Sequence, residues 1–246
     1  QILRAEHAPK ETRTCGLNAF SPEQGSLFLP RLLWRRTAGN ATLRLQLWSD
    51  SSLQDDARTA LELLQQLRPA RAIRPLSVQV ERETHLPQKP EWLTLIGKAT
   101  ETIARGDFEK VVLARATDLQ CKQRVNPVAL MAASRALNLN CYHFCMVFDA
   151  RNAFLGSTPE RLWRRRGKLL RTEALAGTVA SHTDDKQAQR LGEWLLNDDK
   201  NQRENMLVVE DICQRLQHHT QTLEVLPAQV VRLRKVQHLR RCIWTE

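Results

Sequence analysis

Two segments of the sequence carry side chains that could exchange protons with a substrate. Lys110 begins the apolar stretch 110–115, which is predicted to be a strand, and a lysine partly desolvated beside Arg115 can act as a general base. Glu160 follows Pro159 at a sharp corner after another predicted strand, where a half-buried carboxyl can act as a general acid. The alternatives are a solvated strand end for the lysine and a surface turn for the glutamate.

Two further segments offer groups that could hold a charged ligand. Gly177 and Thr178 follow a predicted strand, and their backbone N–H groups and hydroxyl are good donors to a carboxylate. Glu204, Val208 and Asp211 share one face of a predicted helix, which places a carboxylate on the buried side or against a cleft. Mg²⁺ takes oxygen ligands of this kind. The alternatives are that Gly177 and Thr178 only mark the end of a strand and that Glu204 lies on a capped surface helix.

The elements that must position these residues indicate an α+β (mixed α/β) fold, with largely antiparallel sheets flanked by helices. Alternating and helical apolar patterns define them. Helices are predicted after Ser52 and over 92–103, 127–137, 184–197 and 199–218. Strands are predicted over 27–34, 43–47, 76–80, 109–119, 141–148, 153–157, 168–175 and 236–244.

The polar, proline-containing stretch 83–90 is the best candidate for a connection between two parts of the chain. We therefore expect residues 1–86 to form an N-terminal strand and helix portion, and residues 87–246 the first part of a catalytic domain. The chain starts at Gln1 rather than Met and stops shortly after the apolar Ile243 and Trp244. These features lead us to expect a piece of a longer protein, with the fold present only in part.

Composition excludes several classes of protein. Of the 246 residues, 42% are hydrophobic and 26% charged, which is ordinary for a globular protein. No stretch approaches the roughly 20 apolar residues that a membrane helix needs. The six scattered cysteines fit a reduced, cytoplasmic setting better than a disulfide scaffold.

The formal net charge of +10 could mark nucleic-acid binding or the attraction of a small anionic substrate. Aromatic residues are only 5% of the chain, and the sequence has no zinc-finger spacing, RNP motif or basic zipper. A basic nucleic-acid-binding module therefore remains the less favoured alternative.

Taken together and in order, five segments resemble the chorismate-utilising enzymes, a family that includes anthranilate, aminodeoxychorismate, salicylate and isochorismate synthases. The segments are KVVLAR at 110–115, GSTPERL at 156–162, LAGT at 175–178, DKNQRE at 199–204 and VQHL at 236–239. The wording RTEALAGT at 171–178, with GLNAF at 16–20, is most similar to the menaquinone-pathway isochorismate synthases of enteric bacteria. The resemblance implies the chorismate-binding fold of that family.

The resemblance also implies roles for individual residues. Lys110 matches the lysine that activates water for attack at C2 of chorismate, and Glu160 matches the acid that protonates the departing C4 hydroxyl. Glu204 matches a carboxylate of the Mg²⁺ site. The implied substrate-binding residues are Leu175, Ala176, Gly177, Thr178 and His238.

Within the family, Ala176 stands where aminodeoxychorismate synthases have a lysine nucleophile, which disfavours that reaction. We expect neither a glutaminase subunit, nor a nucleic-acid partner, nor membrane attachment, and a monomer when the protein is complete. A salicylate synthase or a siderophore-pathway isochorismate synthase remains an alternative. Members of the family carry a second metal carboxylate later in the chain, so we expect these residues to be inactive by themselves.

Overall fold

The computed structural model describes residues 12–21 and 23–246 of the chain. Contacts divide the chain into two compact units, Gln1–Arg71 and Ala72–Glu246. The domain boundary that we expect from the sequence, between residues 86 and 87, stays a prediction. None of the described helices is both long enough and apolar enough to cross a membrane.

The described part of the first unit consists of two β-hairpins and one helix. Strands β1 (Cys15–Asn18) and β2 (Gly25–Phe28) pair with each other, as do β3 (Leu32–Thr37) and β4 (Asn40–Leu45). Gly39 has a φ of 86° in the second hairpin turn, a conformation that glycine adopts without strain. Helix α1 (Leu53–Gln65) begins at Ser52, whose side chain accepts a hydrogen bond from the backbone N–H of Gln54.

The second unit contains two small two-stranded sheets, a five-stranded sheet and four helices. Its elements, in chain order, are β5 (Val80–Leu86), α2 (Lys89–Ala104), β6 (Ala116–Cys121), α3 (Pro127–Leu137), β7 (Tyr142–Val147), β8 (Ala153–Thr158), β9 (Arg164–Arg166), β10 (Leu169–Ala180), α4 (Asp185–Asn197), α5 (Asp199–Leu216), β11 (Leu223–Val225), β12 (Gln229–Arg232) and β13 (Val236–Thr245). β5 pairs with β6, and β7 pairs with β8. The large sheet has the order β11-β13-β10-β9, with β12 also paired to β13.

Helix α5 packs against the two longest strands of the large sheet. Its buried residues Asn201, Asn205 and Val209 recur every fourth position and so share one face. Val209 forms the core with Ala174 of β10 and Ile243 of β13. The same helical face therefore presents an apolar residue to the core and two amides to the sheet.

The structure confirms the predicted α+β class, because all strand pairs among the described residues are antiparallel and helices flank the sheets. Four local predictions are wrong. Residues 76–79 have no regular secondary structure, so only Val80 of the strand predicted over 76–80 is in a strand, and the strand predicted over 27–34 is divided between β2 and β3. The segment expected to be a connection belongs to β5 as far as Leu86, because it forms a ladder with β6. Residues 110–115 have no regular secondary structure, and the predicted strand begins only at Ala116.

Candidate active site

A β-bulge between β10 and β13 forms the centre of the candidate site. Leu175 faces Arg240 and Thr178 faces His238, so the two residues between them on β10 oppose the single residue Leu239 on β13. Such a bulge redirects the side chains around it. Thr178 and His238 are direct cross-strand partners beside the bulge, so their side chains lie on the same face of the sheet.

Gly177 is required at the bulge for two reasons. Its φ is 87°, in the left-handed region that side chains rarely adopt. A Cβ there would also lie 3.1 Å from the backbone oxygen of Asn201 and 3.3 Å from Cδ1 of Leu239. α5 can therefore approach the bulge closely only because this position has no side chain.

Thr178 is held from both sides. Its backbone N–H donates to Oδ1 of Asn201 at 3.0 Å, and its Oγ1 lies 2.9 Å from Nδ1 of His238. A strand residue opposite the bulge and a helix residue behind it therefore fix the threonine.

The charge state of His238 follows from its surroundings. Burial lowers the pKa of His238 below its usual value, while the carbonyl of Gly177 and the negative charge of Glu160 act in the opposite direction. The imidazole is thus mainly neutral near pH 7, with one nitrogen that can donate a hydrogen bond and one that can accept. The influence of Glu160 on the ring also places that carboxylate in the electrostatic neighbourhood of the bulge.

Lys110 and Glu204 form a direct ion pair. The Nζ of Lys110 donates to Oε1 of Glu204 at 2.9 Å, and the two side chains are 29% and 36% exposed. Lys110 comes from the irregular segment that follows α2, and Glu204 comes from α5. The structure thus brings together two of the residues singled out in the sequence.

Glu160 lies just beyond the end of β8. The side chain of Thr158 accepts a hydrogen bond from its backbone N–H at 3.2 Å, which fixes the corner of the chain there. The residue is exposed, as in the surface-turn alternative, rather than half buried. The irregular chain around Pro159 leaves the glutamate at the surface of the described residues.

The Glu204 carboxylate is a suitable ligand for Mg²⁺ but does not form a complete site by itself. Proteins bind this ion through one or two carboxylates together with water and substrate oxygens. Among residues 12–21 and 23–246, no group of three or more His, Cys, Asp or Glu side chains converges on one point. Glu204 can therefore supply one carboxylate to a Mg²⁺ site. In this structure the same carboxylate is paired with Lys110.

Comparison with known proteins identifies the family of the chain. The family described as chorismate binding enzyme matches residues 5–246. The chain belongs to the chorismate binding enzyme family.

Individual members of the chorismate binding enzyme family are similar along the whole chain. Isochorismate synthase MenF of Escherichia coli strain K12 is 67% identical over 245 residues, which are 100% of this chain and 57% of that protein. Isochorismate synthase MenF of Pasteurella multocida strain Pm70 is 35% identical over 246 residues, or 98% of this chain and 56% of that protein. The chain thus spans little more than half the length of these relatives.

A solved structure from the same family shows the same fold. It is described as MenF, the menaquinone-specific isochorismate synthase from Escherichia coli, and superposes with a TM-score of 0.92 at 67% identity. The superposition covers 96% of this chain and 55% of that one.

Three polar residues around the bulge of this family member were not singled out from the sequence. Asn201, Asn205 and Arg241 hold the bulge and the helix behind it together. The available signal was the pair of asparagines spaced four residues apart within an otherwise ordinary helix, since asparagine is neutral to unfavourable in a helix interior.

Proposed function

We propose that this chain is part of an isochorismate synthase that converts chorismate to isochorismate. The supporting observation is that one turn of α5 carries both Asn201, bound to Thr178, and Glu204, paired with Lys110. The candidate base and the candidate substrate-binding bulge are therefore attached to the same rigid element. The high identity to isochorismate synthases supports this reaction within the family.

The reaction exchanges one hydroxyl group for another and needs no oxidant. In the proposed mechanism, Lys110 leaves its ion pair with Glu204 and, as a neutral amine, accepts a proton from a water molecule whose oxygen forms a bond to C2 of chorismate. The ring double bonds shift, the C4–O bond breaks, and Glu160 donates a proton to the departing oxygen, which leaves as water. One water enters and one leaves, so atoms and charge balance. Positioned acid–base groups of this kind contribute about 10²–10⁴-fold to a rate.

The bulge would bind and orient the substrate. The hydroxyl of Thr178 and the neutral imidazole of His238 can donate to or accept from polar groups of the ring. Glu204 would hold Mg²⁺, which would neutralise and orient a carboxylate of the substrate. The net charge of +10 would attract the dianionic substrate to the protein.

We further propose that the reaction belongs to menaquinone biosynthesis and takes place in the cytoplasm, without a glutaminase subunit. The wording RTEALAGT at 171–178 and the similarity to the menaquinone-specific relative support the pathway. Ala176 supports hydration rather than amination, because hydration needs no lysine nucleophile at that position.

The decisive experiment is chromatographic analysis of chorismate incubated with Mg²⁺ and a full-length synthase that contains this chain. Isochorismate is the expected product, and it should be lost in the presence of a chelator and in Glu204→Gln. Glu210→Gln is the matched control, because Glu210 is an exposed glutamate of the same helix. Salicylate or an aminated product would assign the chain to a sister enzyme. No conversion by the folded full-length protein would contradict the proposal.

A further inference from the structure

We propose that Asn205 is a positioning residue that holds the bulge of β10 in register with α5. It thereby fixes Thr178 and His238 relative to Glu204. This inference rests on the proposed function, because it concerns the geometry of that same site.

A β-bulge leaves backbone groups without ladder partners. Where two residues of β10 oppose one of β13, the regular exchange of hydrogen bonds is interrupted. A buried carbonyl left without a partner is costly, so another donor must serve it. The side-chain amide of Asn205 lies at this point and is completely buried.

Nδ2 of Asn205 faces backbone carbonyls of both strands. It lies 3.0 Å from the oxygen of Ala176, 3.2 Å from that of Leu239 and 3.3 Å from that of Ala174. One amide thus joins β10 to β13 across the bulge. An apolar side chain of the same size would leave these carbonyls without this donor.

Arg241 determines which way the amide points. Its guanidinium donates to Oδ1 of Asn205 at 2.6 Å, and to Oε1 of Gln202 at the same distance. A guanidinium carries only donors, so the atom that faces it must be the amide oxygen. The NH₂ group is therefore directed at the carbonyls of the bulge.

Asn201 holds the opposite end of the bulge. It lies one turn before Asn205 on the same face of α5, accepts from the backbone N–H of Thr178, and donates to Oδ2 of Asp198 at 2.7 Å. Glu204 lies between the two asparagines in the sequence. Two amides on α5 thus clamp the substrate-binding bulge to the helix that carries the metal-ligand candidate.

The test compares Asn205→Leu with Asn197→Leu in the chain as it exists. Leucine removes the amide without adding charge, and Asn197 is an exposed asparagine at the end of α4. NMR titration of the His238 ring, assigned with His238→Gln, is measured beside urea unfolding of each variant. Chorismate turnover is assayed in the full-length protein carrying the same substitutions.

We expect the His238 pKa to move towards about 6.5 in Asn205→Leu, because a loosened bulge admits water to the ring. Asn197→Leu should leave it unchanged. Where turnover is present, kcat/KM should fall about 100-fold in Asn205→Leu, as expected for a displaced catalytic geometry.

A lower unfolding free energy with an unchanged His238 titration would overturn the inference, since it would show a purely structural role. If Asn205→Leu does not fold, the His238 titration and urea unfolding are measured in Arg241→Lys instead. It keeps the charge but loses the planar fork, so the His238 pKa should shift in the same direction, and an unshifted value would again overturn the inference. Absent turnover in the unmodified full-length protein, with a shifted His238 in the variant, would refute the proposed function and leave the positioning role intact.

Discussion

Lys110 and Glu204 are 94 residues apart in the sequence, yet their side chains are joined by a hydrogen-bonded ion pair of 2.9 Å. Both groups are partly exposed, so the pair is worth at most about 1 kcal/mol of stability. Its significance is spatial rather than energetic. It places the candidate general base directly beside the candidate metal ligand.

Replacing Lys110 by Ala should reduce isochorismate formation by about 10²–10⁴-fold, because the proton of the attacking water loses its acceptor. Stability should change little, since only a partly exposed pair is lost. Steady-state rates on chorismate measure the effect, with Lys98→Ala, at an exposed position of α2, as the control. Equal rates in the two variants would remove Lys110 from the mechanism.

Glu160→Gln should lower turnover by a similar factor of about 10²–10⁴, because an amide cannot donate a proton to the leaving oxygen. The change is isosteric and exposed, so urea unfolding should be nearly unaffected. Glu101→Gln, an exposed glutamate of α2, is the matched control. Full activity of Glu160→Gln would show that another group supplies the proton.

Gly177→Ala should destabilise the chain more than Gly106→Ala. Both glycines have a φ near +85° (87° and 82°), so both variants pay about 1–2 kcal/mol for the left-handed conformation. Only at Gly177 would the new Cβ contact neighbouring atoms, which adds about 1–3 kcal/mol of crowding. Urea unfolding of the two variants separates strain from crowding, and equal losses would mean that α5 moves away without cost.

The lowered pKa of His238 predicts a pH dependence of stability. Burial, the main cause, makes the folded chain bind a proton at this ring less tightly than the unfolded chain does. The free energy of unfolding should therefore keep its full value, as far as this ring is concerned, above about pH 6.5. It should decrease as the pH falls from there to the lowered pKa of His238.

Urea unfolding across this pH range, compared between the unmodified chain and His238→Gln, isolates the contribution of the ring. The variant should lose that part of the slope, whereas His218→Gln, at an exposed position, should keep it. An identical slope in the chain and in His238→Gln would show that the ring titrates normally.

Local sequence patterns were sufficient to predict most of the elements. The apolar spacing predicts α3 and α5 closely, because a helical stripe is set by neighbouring residues. The wording of five short motifs was sufficient to identify the family and the candidate residues. These features depend on residue types at short spacing, which the sequence states directly.

The tertiary structure alone decided how those residues meet. The Lys110 segment is irregular and Glu160 is exposed, since both depend on what packs around them rather than on their own patterns. The contact of Lys110 with Glu204, and the clamp of Asn201 and Asn205 on the bulge, arise from α5 packing across β10 and β13. Such contacts join residues far apart in the chain, and no local spacing specifies them because packing and buried hydrogen bonding select them together.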